Sequence, residues 1–79
     1  MQPQEVKSLL ESRLEGATVE VNGDGRHFDI LVVSDAFAGL SPVKKQQLVY
    51  GALQAEIAEG TIHAVNMKTL TRDEWQQRT

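Results

Sequence analysis

The chain contains no cysteine, which excludes disulfides, thiolate metal ligands and cysteine nucleophiles. Only 5% of its residues are aromatic, too few for the stacking platforms with which single-strand nucleic-acid binders hold bases. The net charge of −3 argues against a protein that coats nucleic acid, since such proteins carry a basic excess. The sequence lacks an apolar run that could cross a bilayer and an apolar amino-terminal segment of the signal-peptide type. We therefore expect a cytoplasmic protein without a membrane partner.

The residues that are present predict one globular domain over residues 1–79. A chain of 79 residues needs most of its length to close a single hydrophobic core. Its hydrophobic content of 41%, with 24% charged residues, is typical of globular rather than disordered chains. No serine lies in a nucleophile motif, and no phosphate-binding glycine loop follows a predicted strand, so we do not expect an enzyme.

Local patterns predict six elements in the order α-β-β-α-β-α. Proline at a first helical position, serine or threonine caps and an Asx–Gly turn mark their boundaries. The predicted elements are a helix opened by Pro3 and ended near Gly16, a strand over 17–21, a hairpin turn over 22–25, a strand over 27–33, a long helix from Pro42 to about Gly60, a strand over 63–70, and a helix capped by Thr71 and Glu74.

These elements predict a two-layer α+β domain with a three-stranded mixed sheet. The fully apolar run Ile30 to Val33 is typical of a strand buried on both faces, so we place it in the middle of the sheet. On the long helix, the predicted apolar stripe consists of Val43, Tyr50, Leu53 and Ile57, with Val49 beside it.

Two histidines are the candidate metal ligands. His63 opens the last predicted strand, where a partner could reach its imidazole at the edge of the sheet. His27 follows the hairpin turn at the start of the second strand. From the residues alone, a half-exposed histidine satisfied by backbone groups is the preferred interpretation of His63. For His27, a solvent-facing histidine at a strand end and a ligand are equally compatible with the sequence. Two histidines also fall short of an independent zinc site, which needs three or four protein ligands.

Lys44 and Lys45 form a pair of cations in the first turn of the long helix. Cations oppose the helix dipole there, because the amino-terminal end of a helix is positive. The pair therefore indicates recognition of an anion, a phosphate backbone or an acidic surface, although a solvated helix face would tolerate the same charges. Trp75 allows two interpretations, an interface anchor or a lid over the core.

Two segments, Ser41 to Tyr50 and Ile62 to Trp75, resemble the signature of the BolA family and are most similar to its short IbaG-like branch. The resemblance extends from about Glu5 to Trp75 and implies a class II KH-like fold. It also implies that His63 ligates a 2Fe–2S cluster shared with a monothiol glutaredoxin and glutathione, with His27 as a second ligand. A chain without cysteine cannot complete such a cluster alone, so the missing ligands must come from outside.

The same resemblance implies a partner surface framed by the lysine-bearing helix and the carboxyl-terminal helix. The residues assigned to this partner or nucleic-acid surface are Ser41, Lys44, Lys45, Gln46, Lys68 and Trp75. The function implied is iron–sulfur trafficking or iron and stress sensing. The alternative is a stress-linked transcriptional regulator that contacts DNA through Lys44 and Lys45, and a homodimer of the metal-free chain is left open. The Gly-x-x-Gly clamp of RNA-binding KH domains is missing from the sequence.

Overall fold

A three-stranded sheet with helices on one of its faces organises the computed structural model, which describes residues 1–24 and 27–77. The elements are α1 (Pro3–Arg13), β1 (Thr18–Gly23), β2 (His27–Val33), a 3₁₀ turn (Asp35–Phe37), α2 (Pro42–Ala52), α3 (Gln54–Ala58), β3 (Ala64–Leu70) and α4 (Arg72–Gln77). This α+β architecture is the predicted one. Gly25 of the predicted hairpin turn lies outside the described residues.

The central strand is β2, as its apolar run predicted. It pairs antiparallel with β1 and parallel with β3, so the sheet is mixed. Ile30, Val32 and Val33 are buried and Leu31 is half-buried. Because both neighbours of β2 are edge strands, the order β1-β2-β3 makes β2 the strand with the fewest backbone groups open to water.

The core lies between the inner face of the sheet and the helices. Successive residues along each strand alternate between this inner face and the outer face. The buried cluster consists of Val6, Leu10, Val19, Phe28, Ile30, Val32, Phe37, Val49, Leu53 and Ile62. Helix α1 contributes two of these side chains and α2 contributes one, while α3 and α4 contribute none.

The predicted apolar stripe of the long helix was partly wrong. Val49 and Leu53 are fully buried, but Val43, Tyr50 and Ile57 are 61%, 42% and 37% exposed. Burial instead falls on the helix face of Val49 and Leu53. Two long polar side chains, Lys45 and Glu56, border that face at 16% and 13% side-chain exposure.

The long helix is also broken, where one continuous helix was predicted. Leu53 has φ −112° and ψ 10°, and its N–H donates to the carbonyl of Tyr50 in a tighter turn. Arg13 from α1 inserts its guanidinium at this point, with Nη1 2.7 Å from the carbonyl oxygen of Ala52. A side chain inserted into the backbone ladder is an established cause of a helix bend.

Both predicted caps are confirmed in their hydrogen bonds. The Ser41 hydroxyl accepts the Lys44 N–H at 3.3 Å and so caps α2. At α4, the Thr71 N–H donates to Glu74 Oε1 at 2.8 Å, and the Glu74 N–H donates to Thr71 Oγ1 at 3.2 Å. This reciprocal pair is a capping box, and it fixes where α4 leaves the sheet.

Two glycines, Gly51 in α2 and Gly23 in β1, give a matched test of the packing around these two elements. A β-carbon at Gly51, inside α2, would meet no atom within 4 Å, so Gly51→Ala should raise the free energy of unfolding by up to about 1 kcal/mol. A β-carbon at Gly23 would overlap the carbonyl oxygen of His27 and lie 2.8 Å from Phe28 Cδ1. Gly23→Ala should therefore lower the same quantity by about 1–3 kcal/mol. Urea unfolding of the two variants measures both; equal effects of one sign would contradict the assignment.

Candidate functional site

The sheet register brings the two candidate histidines together. His27 is the first residue of β2 and pairs with Ala64, the first residue of β3. His63 immediately precedes Ala64, one residue outside the strand that was predicted to begin with it. Because paired strands lie about 4.8 Å apart, both histidines occupy the same amino-terminal edge of the parallel pair. Candidates that were distant in sequence are thus neighbours in space.

His63 has a fixed backbone and an exposed side chain. The preceding residue, Ile62, is 1% exposed and belongs to the core cluster. Its N–H donates to the carbonyl of Glu56 at 3.2 Å, which secures the chain just before the histidine. The His63 ring makes no hydrogen bond or ion pair with any residue in the described part of the chain. The interpretation of a histidine satisfied by backbone groups is therefore not what the structure shows.

His27 is held by the turn that precedes it. Its backbone N–H donates to Asp24 Oδ1 at 2.9 Å, which closes the hairpin end of β2. Its side chain is 69% exposed, and Nδ1 lies 3.8 Å from Asp24 Oδ2, too far for a hydrogen bond. The sequence analysis did not single out Asp24 as a neighbour of the His27 ring. The available signal was an Asx residue three positions before the start of a strand, since such residues bond to the backbone that follows them.

The donor set of this edge is incomplete for a metal. Over residues 1–24 and 27–77, no group of three or more histidine, cysteine, aspartate or glutamate side chains could hold an ion. Two histidines at the same edge of the sheet can nevertheless each supply an imidazole ligand to a metal whose other ligands come from a second molecule. The chemistry of this edge fits a contributor of imidazole ligands and does not fit a resident metal site.

A partly exposed ion pair between Arg13 and Glu56 supports the segment that precedes His63. Arg13 Nη1 and Nη2 bind Glu56 Oε1 and Oε2 at 2.6 and 3.2 Å. The backbone carbonyl of Glu56 accepts the N–H groups of Thr61 and Ile62. The hydrogen bond from Arg13 lowers the pKa of the Glu56 carboxyl and raises that of the guanidinium. Glu56 therefore links α1 to the turn before His63 through both its side chain and its backbone.

The predicted partner surface does not surround the histidines. Ser41 and Lys44 lie at the start of α2, and α4 follows the carboxyl end of β3. Since β3 has seven residues, this end of the sheet lies about 20 Å from the edge with His63. Gln46 is exposed on α2, while Lys68 is exposed on the outer face of the sheet, opposite the helices. The six residues assigned to one surface are thus divided between two faces.

Lys45 has a structural partner. Its Nζ lies 3.7 Å from Glu74 Oε1, and its side chain is largely covered. Hydrogen bonds from Thr71, with a smaller contribution from the charge of Lys45, lower the pKa of the Glu74 carboxyl. Consecutive residues point about 100° apart on a helix, so Lys44 and Lys45 do not form one cationic patch. Trp75, on the same short helix, is half-buried and is not a member of the buried core cluster.

A depression on the outer sheet face, lined by both polar and apolar side chains, was not predicted. It has a volume of about 340 Å³ and is lined by residues of all three strands, among them Glu20, Asp29 and Lys68. Asn66 Nδ2 donates to Asp29 Oδ1 at 3.2 Å across the β2–β3 pair. The alternation of polar residues along each strand was the sequence signal for this face, but it does not indicate a ligand.

Comparison with known proteins identifies relatives over nearly the whole length. A family model described as BolA-like protein matches residues 1–74. Acid stress protein IbaG of Escherichia coli K12 is 47% identical over 75 residues, covering 95% of this chain and 89% of that protein. DNA-binding transcriptional regulator BolA of Vibrio cholerae is 41% identical, covering 96% of this chain and 68% of that protein. A solved structure of a bolA protein homologue from Coxiella burnetii has a TM-score of 0.88 at 32% identity, covering 98% and 99% of the two chains. No helix among the described residues is long and apolar enough to span a membrane.

The ion pair of Arg13 and Glu56 should make the stability of the fold depend on pH. Because the folded-state pKa of Glu56 is lowered, its contribution is complete above the unfolded pKa and is lost as the pH falls through the folded value. Glu56→Gln should therefore lower the melting temperature at pH 7, and the difference from wild type should shrink below about pH 4.

Glu59→Gln is the matched control, since Glu59 is exposed on the same segment and has no ion pair among the described residues. It should leave the melting temperature at pH 7 unchanged. Equal losses in the two variants, or a difference that persists at pH 3, would contradict the role given to the ion pair.

Proposed function

Because this chain belongs to the BolA family, we propose that it is a non-enzymatic partner of a monothiol glutaredoxin. The two proteins form a glutathione-dependent heterodimer bridged by a 2Fe–2S cluster, used in iron–sulfur trafficking or in iron and stress sensing in the cytoplasm. His63 supplies a ligand from this chain, and His27 is the second candidate. The name of the Escherichia coli relative, an acid stress protein, supports the stress-linked setting.

The observation that carries this proposal is the pair of exposed imidazoles at one edge of the sheet, in a chain without cysteine. His27 and the residue after His63 are directly paired in the parallel register. Histidine can replace thiolate as a ligand of a 2Fe–2S cluster, whereas such clusters otherwise require cysteine. An imidazole pair without thiolates therefore matches a protein that adds ligands to a cluster held mainly by its partner.

Each residue of this edge has a separate task in the proposal. Ile62 and the carbonyl of Glu56 fix the backbone, so the His63 ring is presented at low cost in conformational entropy. Asp24 lies beside the His27 ring, whereas the His63 ring has no such neighbour among the described residues. We therefore keep His63 as the first candidate ligand. The bound cluster would supply electron-transfer or cluster-transfer chemistry, and the imidazole makes its retention depend on pH.

The second candidate function is DNA binding in transcriptional regulation. It is favoured by the Vibrio cholerae relative, whose name describes a DNA-binding transcriptional regulator, and by the exposed Lys44 at the start of α2. The partnership of Lys45 with Glu74 removes one of the two cations assigned to this role. We therefore rank it below cluster bridging.

His63→Ala tests the first proposal. The fold should persist, because changes at an exposed position cost under about 0.5 kcal/mol. When the variant is mixed with a cluster-loaded monothiol glutaredoxin and glutathione, its visible absorption and circular dichroism should shift towards those of an all-thiolate site. The bridged complex should also become labile. His27→Ala should have a smaller effect, and the wild-type spectrum should be lost on acidification as imidazole protonates.

His63→Cys provides the matched ligand control. It should restore a stable complex with a thiolate-type spectrum, which loss of a structural histidine would not do. A normal bridged spectrum in His63→Ala, or a larger effect of His27→Ala, would contradict the assignment of His63.

The DNA-binding alternative predicts a different response to salt. Binding through phosphates should weaken steeply as the salt concentration rises, and Lys44→Glu should reduce it without loss of stability. Lys45→Glu should instead lower the melting temperature, because it places a carboxylate beside Glu74. Electrophoretic mobility shifts measure DNA binding by the two variants, and thermal unfolding measures their stability. Identical behaviour of the two variants would contradict the assignment of DNA contact to Lys44 and of a structural role to Lys45.

A further inference from the structure

A chemically labile pair of residues, Asn22 and Gly23, forms the carboxyl end of β1. Both residues are exposed. The backbone nitrogen that follows an asparagine can attack the side-chain amide of that asparagine, and a side chain on the following residue hinders the attack. Glycine has no side chain and lets other groups approach its backbone closely. The pair therefore has the least hindered form of this reaction.

The N–H of Gly23 points away from β2. The Asp24 N–H donates to the carbonyl of His27 at 3.3 Å, so these two residues form a hydrogen-bonded pair at the end of the antiparallel ladder. Hydrogen-bonded and non-hydrogen-bonded pairs alternate along such a ladder, which makes Gly23 with Phe28 a non-hydrogen-bonded pair. Because β1 is an edge strand, no further strand of the described sheet accepts this N–H. The attacking nitrogen is thus open to base and to water.

The packing of the hairpin keeps a glycine at this position. A β-carbon at Gly23 would overlap the carbonyl oxygen of His27 and lie 2.8 Å from Phe28 Cδ1. A side chain that slowed the reaction would therefore displace the first residues of β2, of which Phe28 is 1% exposed. The reactive pair is thus a consequence of how β1 and β2 close on each other.

We propose that Asn22 is a site of spontaneous deamidation in the folded protein, and that the reaction alters the strand end beside His27. Base removes the proton of the Gly23 N–H, and the nitrogen forms a bond to Asn22 Cγ while the side-chain nitrogen leaves as ammonia. One water molecule then opens the resulting succinimide ring. Breaking the new bond at Cγ gives aspartate, and breaking the original peptide bond gives isoaspartate, which is linked through its side chain.

Ring closure requires the end of the hairpin to open. In the ladder Asn22 is paired with Asp29, and the attack must rotate the bond between Asn22 Cα and its carbonyl carbon. This rotation breaks the bond from the Asp24 N–H to His27 and moves Asp24 Oδ1 away from the His27 N–H, which it accepts at 2.9 Å. Strand ends open locally at a much lower free energy than the whole fold. Local opening therefore controls the rate while the core stays folded.

Both products change the edge of the sheet that carries the histidines. Aspartate at position 22 places a second carboxylate directly opposite Asp29, and like charges at opposite positions destabilise a strand pair. Isoaspartate adds a methylene group to the backbone of β1 and so displaces Asp24 from His27. The inference does not rest on the cluster-bridging proposal, because it concerns the backbone around His27 whatever the imidazole binds.

Timed incubation of the wild-type protein in mildly alkaline buffer tests the reaction. After digestion at acidic pH, mass spectrometry should show that Asn22 gains one mass unit at least tenfold faster than Asn66. Asn66 is the internal control, because Met67 follows it and its side-chain amide donates to Asp29 Oδ1 at 3.2 Å. Electron-transfer fragmentation of the same peptide should detect isoaspartate at position 22. Equal rates at the two asparagines, or no conversion of Asn22, would overturn the proposal.

Two variants test the control by local opening. Asp24→Ala removes the acceptor of the His27 N–H and should accelerate the conversion of Asn22 severalfold. Gly51→Ala, which should stabilise the whole fold, should leave the rate unchanged. Far-UV circular dichroism checks that each variant is folded. A rate that falls with Gly51→Ala and does not respond to Asp24→Ala would mean that the reaction proceeds through global unfolding, and would overturn a site in the folded protein.

Asn22→Asp reproduces one of the two products and tests the effect on the strand end. It should melt at a lower temperature than the neutral control Asn22→Gln at pH 7, because only the aspartate repels Asp29. High salt should reduce the difference by screening the two charges. Equal melting temperatures of the two variants would contradict the effect assigned to the new carboxylate.

Discussion

The parallel register of β2 and β3 is the constraint on which the arrangement of this molecule depends. By pairing His27 with Ala64, it sets the two histidines side by side and sends both strands in the same direction. The carboxyl ends of the strands then meet at the far end of the sheet, where the starts of α2 and α4 lie and are joined by Lys45 and Glu74. A shift of one residue in this register would reverse the faces of β3.

The two ends of the sheet therefore carry different chemistry. The amino-terminal edge presents imidazoles and a carboxylate at the end of a tight turn. The carboxyl end presents the start of α2, where Lys44 is exposed and Lys45 pairs with Glu74 of α4. Cluster bridging and DNA contact would use opposite ends of one small domain. The two proposed functions therefore do not require a shared site.

Those features that depend on local chemistry could be predicted from the sequence. The caps at Ser41 and Thr71 and the central place of β2 follow from neighbouring residues, and all are present. Which face of the long helix meets the sheet could not be predicted, since Val49 with Leu53 and Val43 with Tyr50 are both regular apolar patterns. The choice rests on tertiary partners, because Glu56 at the border of the core face finds Arg13 and Lys45 finds Glu74. The break at Leu53 likewise depends on Arg13, which lies far away in sequence.

The position of Trp75 has an optical consequence. As the only tryptophan, it lies on α4, which the ion pair of Lys45 with Glu74 and the bond from Arg72 to the carbonyl of Gly16 attach to the rest of the domain. Its fluorescence therefore reports the attachment of the last helix, at the end of the sheet remote from the histidines. Detachment of α4 can thus be followed by the fluorescence of Trp75 in the unlabelled protein, at a position remote from the histidines.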